Sequence, residues 1–295
     1  MDLLLHLQRL PCPSGDEAAI ASFIQRYCDG LPGVTVWRTG DLVLATKGTP
    51  RVAIFAHLDT IGFTQGYDRK LIPIGGPKVE GGEKLRAVAS GATARLKVSH
   101  ADGKPLWRLS GKQGAPGERW VYAEPLLVKA GRVRGPYLDN RAGVWNALRV
   151  LEGCENAAVV FTPGEEHSGG GAAVGARLVS EELNIRRALI SDITWHTKSI
   201  KCGKGPAISL RDRYVPPQRF LQEVLAAAEA SGFPFQREVE SDGGSDGAVI
   251  ERSPYPIDWV FIGAPQKRPH TPRETCHVAD LEGMVALYLA LLKLL

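Results

Sequence analysis

Ala157-Ala-Val-Val-Phe161 is an unbroken apolar run. It is followed at once by Thr-Pro-Gly-Glu165-Glu166-His167-Ser168-Gly-Gly170 and then by the small-residue segment continuing to Leu178. A short apolar run bounded by turn residues reads as a buried strand, and the segment beginning at Gly169 reads as a helix start. A strand buried on both faces needs helices on both sides, which constrains the chain toward a parallel α/β sheet. The turn also carries two adjacent carboxylates at the strand's carboxyl end, where ligands bind in open α/β sheets. Adjacent glutamates are mostly solvated, so the pair gains meaning only if other ligand-type residues also follow strands.

They do. Residues 51–56 form a second apolar run that ends in His57-Leu58-Asp59. Residues 187–191 end at Asp192, and residues 258–262 lead through a loop to His270. Asp139 opens a helix whose apolar face includes Val144, Leu148 and Leu151. Strands alternating with helices predict an α/β fold with a mainly parallel central sheet flanked by helices. Residues 2–10 read as a short helix, and residues 34–37 with 42–46 as a hairpin. Ser14-Gly-Asp-Glu17 reads as a capping box before the helical spacing of Ile20, Phe23, Ile24 and Tyr27. A helix over 217–231 should stop at Gly232, and Asp280 is expected to cap the last helix.

Residues 63–133 differ in texture. They hold Gly75-Gly76, Gly81-Gly82 and the loop from Ser110 to Gly117, separated by β-rich pieces at 92–99, 120–123 and 126–133. This predicts a small β-barrel-like domain inserted into a main domain made of residues 1–62 and 134–295.

Composition excludes several classes. The net charge is +4 with no long basic run, so nucleic acid is not an expected partner. No apolar stretch approaches the roughly 18 residues of a membrane span, and the start lacks the pattern of a signal peptide. The five cysteines form no Cys-x-x-Cys pair and read as reduced thiols of a cytoplasmic protein.

Nitrogen and carboxylate ligands suit zinc, and also cobalt or manganese. Each residue has a plainer alternative: His57 as a satisfied core histidine, Asp139 or Asp192 as helix caps, His270 as a loop residue. The conjunction is what points to a metal. A two-carboxylate glycosidase needs neither histidine nor metal.

The stretches Ala56-His57-Leu-Asp59-Thr-Ile-Gly62, Leu138-Asp139-Asn140-Arg141, Gly164-Glu165-Glu166, Ser191-Asp192-Ile-Thr194 and Pro269-His270-Thr-Pro-Arg-Glu274 occur in this order. Pro13-Ser-Gly-Asp-Glu17, Cys202-Gly-Lys-Gly-Pro206 and Gly243-Gly-Ser-Asp-Gly247 accompany them. Together they resemble the co-catalytic di-metal aminopeptidases that assemble into tetrahedral dodecamers, the glutamyl and deblocking aminopeptidases once labelled endoglucanases. The resemblance covers nearly the whole chain. It departs at His167-Ser168, where apolar residues are expected, at Asn140, where Asp is common, and in a shorter inserted region.

The resemblance implies a di-zinc exopeptidase-like core with two divalent ions per chain. His57 and Asp192 would hold one ion, Glu166 and His270 the other, and Asp139 would bridge. Asp59 would orient His57 from behind, and Glu165 would be the general base acting on a metal-bridged water. A cis peptide is implied after Asp139. Peptides would be the substrates, and a homo-oligomer the assembled form. Two other readings stay open: a di-metal N-acyl amino acid deacylase, with Arg141, Arg211 or Arg213 receiving the substrate carboxylate, and a non-catalytic peptide-binding scaffold. The deacylases carry their extra domain after the glutamate pair, whereas here it precedes Asp139. Five carboxylates against two divalent ions leave the site slightly negative, which favours a cationic peptide N-terminus.

Overall fold

The computed structural model describes residues 1–101, 104–111, 114–167 and 169–295. Lys112 and Gln113 of the glycine-rich loop, and Ser168 beside the glutamates, lie outside the described residues. The chain begins with α1 (Asp2–Gln8), α2 (Ala18–Asp29), the hairpin β1 (Val34–Thr39) and β2 (Leu42–Lys47), and β3 (Ala53–His57). Six strands follow: β4 (Gly62–Gln65), β5 (Leu71–Ile74), β6 (Lys84–Ala87), β7 (Thr93–Ala101), β8 (Lys104–Gly111) and β9 (Arg119–Tyr122). Then come β10 (Leu127–Lys129), β11 (Arg132–Gly135), α3 (Leu138–Gly153), β12 (Ala157–Thr162), α4 (Gly170–Glu181), β13 (Arg187–Trp195) and β14 (Ala207–Arg211). The chain ends with α5 (Gln218–Ser231), β15 (Gln236–Val239), α6 (Asp246–Arg252), β16 (Asp258–Lys267), β17 (Glu274–His277) and α7 (Val278–Leu294).

The large sheet has the order β1-β2-β12-β3-β13-β16-β17-β11-β10, with β14 joined to β16 on the side and β15 to β14. Its centre, β12-β3-β13-β16, is parallel, and its flanks are antiparallel. Side chains alternate between two cores, as period-2 strands require. Ile54, Val159 and Leu189 face the core shared with α3, α5 and α7. Phe55, Val160 and Ile190 face the core shared with α4 and α6. Helix α4 comes close to the sheet at Gly175, where an added Cβ would lie 2.7 Å from Val160 and 2.8 Å from Phe55. By the same alternation His57 and Asp192 fall on the α4 side of adjacent strands, one pair beyond Phe55 opposite Ile190.

The second sheet, β5-β4-β9-β6-β7-β8, is antiparallel throughout. A bridge between Lys70 and Arg108 brings its two ends together, so the lobe is a nearly closed small barrel. Phe63, Leu85, Leu96 and Trp120 fill it, and the Trp120 indole N–H donates to Gln65 at 3.2 Å.

Four local expectations are corrected. Residues 126–133 were expected in the insertion, but β10 and β11 join the large sheet, with Val133 paired to Cys276 of β17. A β-forming sequence does not specify which sheet it completes. Ser14 caps no helix: α2 starts at Ala18 without a side-chain cap, and the Ser14 hydroxyl donates to Asp59 instead. Asp280 is not the cap of α7; it lies in the first turn and accepts the Gly203 and Gly205 N–H groups, while His277 caps. Strand β13 does not end before Asp192 but runs on to Trp195, because β16 continues beside it to Gln266. Among the described residues no helix is long and apolar enough to cross a membrane.

Candidate metal centre

The predicted ligands converge from five separate segments. His57 ends β3, and Asp192 lies next to it on β13. Glu165 and Glu166 occupy the turn after β12, Asp139 the entry of α3, and His270 the loop between β16 and β17. His57 Nε2 lies 3.3 Å from Asp139 Oδ1 and 3.5 Å from Asp192 Oδ2. His270 Nε2 lies 3.3 Å from Asp139 Oδ2 and 3.5 Å from Glu166 Oε2. Two three-residue sets result, His57–Asp139–Asp192 and Asp139–Glu166–His270, and Asp139 is in both. Glu165 belongs to neither; its Oε2 is 3.9 Å from His57 Nε2.

These distances fit a pair of bound cations. Ligand atoms about 2.1 Å from a tetrahedral ion stand about 3.4 Å from one another, which is the spacing found. The donor set of imidazole nitrogens and carboxylate oxygens is that of zinc-type ions. Glu166 Oε1 is buried without a hydrogen-bond partner. Among the described residues, the ion pairs of these carboxylates are with His57 and His270 only, never with lysine or arginine. So many buried acids can all ionise only if cations join them; otherwise some must hold protons.

The electrostatics agree. Burial, with smaller contributions from neighbouring carboxylates, pushes Glu165 and Glu166 well above the usual range against the pull of His57, and pushes Asp192 up too. Burial opposes charge on His57, yet Asp192, Asp139 and Asp59 outweigh it and raise its pKa. His270 is raised likewise, its burial outweighed chiefly by Asp139. Asp139 and Asp59 go the other way: burial would raise them, but the histidines and hydrogen bonds hold both below the ordinary value.

The supporting residues were only partly legible. Asp59 Oδ1 is 3.4 Å from His57 Nδ1, and its short hydrogen bonds go elsewhere. It accepts Ser14 Oγ–H at 2.6 Å, Glu165 N–H at 2.9 Å and Glu166 N–H at 3.0 Å, so it holds the glutamate turn as well as facing the His57 ring. Glu274 is buried and bidentate, with Oε2 accepting Asp139 N–H at 3.1 Å and Oε1 accepting His270 N–H at 3.0 Å. It ties the shared aspartate to the outer histidine, a role that its place four residues after His270 did not reveal. His270 Nδ1 faces Gly76 O at 3.0 Å and must carry the ring proton there, leaving the Nε2 lone pair toward the carboxylates. His167 Nδ1 accepts the neighbouring Gly75 N–H at 3.1 Å, so the inserted lobe is fastened at both glycines. The Asp139–Asn140 peptide is cis, and Asn140 Nδ2 donates to Ser191 O at 2.9 Å. Asp246, another unassigned acid, is buried and accepts the Thr162 hydroxyl at 2.5 Å.

The cluster opens into a cleft of about 380 Å³. Of the three arginines considered for binding a carboxylate, Arg141 is wholly buried, donating to the carbonyls of Leu7, Leu58 and Leu10. The Arg211 Nε donates to Asp212 O, and Arg213 alone of the three lines the cleft.

Residues 115–287, well over half of the chain, match the family described as M42 glutamyl aminopeptidase. Over 328 aligned positions, covering 97% of this chain and 96% of the relative, the chain is 26% identical to a provisionally named aminopeptidase of Acetivibrio thermocellus. A TET aminopeptidase from a marine-sediment thaumarchaeon superposes with a TM-score of 0.87 at 20% identity, over 99% of this chain and 95% of that one. The TET1 peptidase of Pyrococcus horikoshii, described as assembling into a tetrahedron or a large octahedral shell, gives 0.82 at 22% identity over 98% of each chain. At such identities the structures share the fold. With the family match over residues 115–287, the chain belongs to the M42 glutamyl aminopeptidase family and is a metal-dependent aminopeptidase.

Proposed function

We propose that the two ligand sets hold two divalent ions and that Glu165 moves the proton when the bond after a peptide's N-terminal residue is hydrolysed. In this reading His57 and Asp192 hold one ion, Glu166 and His270 the other, and Asp139 both. Zinc suits these donors best, with cobalt and manganese as alternatives. Bound there, such ions acidify a water and polarise the scissile carbonyl. The observation that carries the reading is Glu165 itself, 3.9 Å from His57 of one ligand set and a member of neither. A carboxylate spent as a ligand would lose the basicity that proton transfer needs. Burial, reinforced by Asp192 and Asp246 against the opposing pull of His57, raises the proton affinity of Glu165 above that of an ordinary glutamate, the direction a general base requires. Glu165 takes a proton from the attacking water as the C–O bond forms. It returns that proton to the nitrogen as the C–N bond breaks, which regenerates the carboxylate.

The substrate's free amine is the feature to test. The acidic surround of the cluster attracts a cationic N-terminus. Of the three arginines considered for a free carboxylate, Arg141 is buried in backbone contacts and Arg211 does not line the cleft, which leaves Arg213 alone there. An N-acetylated aminoacyl-anilide should therefore be cut at least about 100-fold more slowly than its unblocked partner, a loss of about 2.7 kcal/mol in transition-state binding. Equal kcat/KM for the matched pair would favour the deacylase reading instead.

Residues 62–122 we take as the inserted domain, shaping access to the cleft through the Gly75–Gly76 contacts, with the remainder as the catalytic domain. We further propose that the chain forms a homo-oligomer. The Pyrococcus horikoshii relative assembles, and the edge strand β10 exposes Leu127 and Val128, the kind of edge that a neighbouring chain covers. Light scattering that returns a monomer mass would refute this. Five cysteines without a disulfide fit a reducing compartment, and we assign the enzyme to the cytoplasm.

A further inference from the structure

The cleft is acidic even after its metals are counted. In the cluster, Asp139, Glu165, Glu166 and Asp192 balance two divalent ions in formal charge. Beyond it the ionisable lining is Asp212, Glu238, Glu240 and Asp242 against Arg213 and Arg252, an excess of two negative charges. Among the described residues no lysine or arginine forms an ion pair with any of those four acids. Arg252 is engaged elsewhere: its guanidinium lies 5.5 Å from the centre of the Tyr214 ring, and its Nε donates to Ala248 O at 3.0 Å.

Glu238 is the telling member. Its side chain belongs to β15 yet lines the cleft, and the residue is only 3% exposed. A buried carboxylate without a cation is costly, and burial pushes this one's pKa up. The Thr194 hydroxyl donates to it. Thr194 stands two residues beyond the ligand Asp192 on β13, so both point to the same side, about 6.6 Å apart along the strand. An extended lysine side chain spans about 6 Å from Cα to its ammonium. A residue whose carbonyl sits at the metal cluster can therefore bring a terminal cation to Glu238. Two aromatic rings flank this path. The Trp195 ring lies 3.8 Å from where a Cβ on Gly243 would be and has Lys78 Nζ 5.9 Å from its centre; the Tyr214 ring lies 3.6 Å from a Cβ on Gly244 and carries Arg252. The same loop carries Asp242 at the exposed mouth.

We propose that Glu238, with Asp242 at the mouth of the cleft, selects peptides whose N-terminal residue is lysine or arginine. This rests on the aminopeptidase reading and narrows it. An N-terminal glutamate would meet like charge, so the glutamyl preference in the family's description would not apply here.

The test is kcat/KM of the metal-loaded enzyme on the unblocked para-nitroanilides of lysine, arginine, leucine and glutamate. Lysine or arginine should exceed leucine by at least about 10-fold, with glutamate lowest. Glu238→Gln should reduce the lysine-to-leucine ratio at least about 10-fold, mainly through KM for the lysine substrate. Asp242→Asn, on an exposed loop that tolerates substitution, should reduce it in the same direction by less. Preference for leucine or glutamate, or an unchanged ratio in both variants, would overturn the proposal and leave the aminopeptidase standing. Failure to cut any of the four unblocked anilides would overturn both.

Discussion

In Glu165→Gln enzyme, kcat falls by about 10²- to 10⁴-fold while the metal content stays at the wild-type level. The amide keeps the size and shape of the side chain and cannot accept a proton. KM should change little, because Glu165 is a member of neither ligand set and its contribution appears in the transition state. Glu166→Gln should behave in the opposite way. Its carboxylate oxygen is 3.5 Å from His270 Nε2 inside the Asp139–Glu166–His270 set, so its loss should weaken retention of one ion first. The expected weakening exceeds the roughly 10- to 100-fold typical of a residue that merely supports a ligand. Metal analysis by mass spectrometry after gel filtration, beside single-turnover kinetics, separates the two. Metal loss in Glu165→Gln with retention in Glu166→Gln would exchange their roles.

Removal of metal with a chelator should abolish activity and lower Tm by at least about 5 °C, given about 2.7 kcal/mol of linkage at a free metal concentration 100 times Kd. Reloading with zinc, cobalt or manganese should restore activity as occupancy approaches two ions per chain. Full activity at an occupancy that never exceeds one would refute the paired site. The stability loss should also depend on pH, and its sign is fixed by the direction of each shift. In the metal-free fold His57 and His270 are raised, so their contribution is whole below their ordinary pKa and is lost as pH climbs through the folded value. Glu165, Glu166 and Asp192 are also raised, so their ionisation costs more in the fold than in the unfolded chain, and that cost grows as pH rises above the ordinary carboxylate range. Asp139 and Asp59 are lowered, and their favourable contribution is lost only as pH falls below about 4. Between pH 5 and 8 only the raised groups act, so metal-free protein should lose stability as pH rises. Bound cations displace those protons. The difference in Tm between loaded and chelated protein should therefore widen from pH 5.5 to pH 8, and a difference that narrows would contradict the assignment.

Much of this site can be read from the chain because its residues sit where strands end. An apolar run shows itself locally, and parallel strands put all their carboxyl ends on one edge of the sheet. That was enough to select His57, the Glu165–Glu166 turn, Asp192 and His270 before any contact was known, and the order of the motifs supplied Asp139. Hairpin β1–β2, helix α5 with its stop at Gly232, and the β-rich texture of the inserted lobe were legible for the same local reason. Residues whose work depends on a distant partner were not. Ser14 looks like a helix cap until the fold brings Asp59, 45 positions away, to its hydroxyl. Arg141 looks like a free cation until three carbonyls bury it. Strands β10 and β11 carry the same β-forming composition as the lobe, and pairing with β17 alone puts them in the large sheet. Glu274 bonding two backbone groups, and Glu238 reaching the cleft from β15, likewise arise only when separate segments meet. Local pattern determines where a backbone extends or turns. Which buried acid faces a cation, a carbonyl or another acid is a long-range matter, decided by the packed structure.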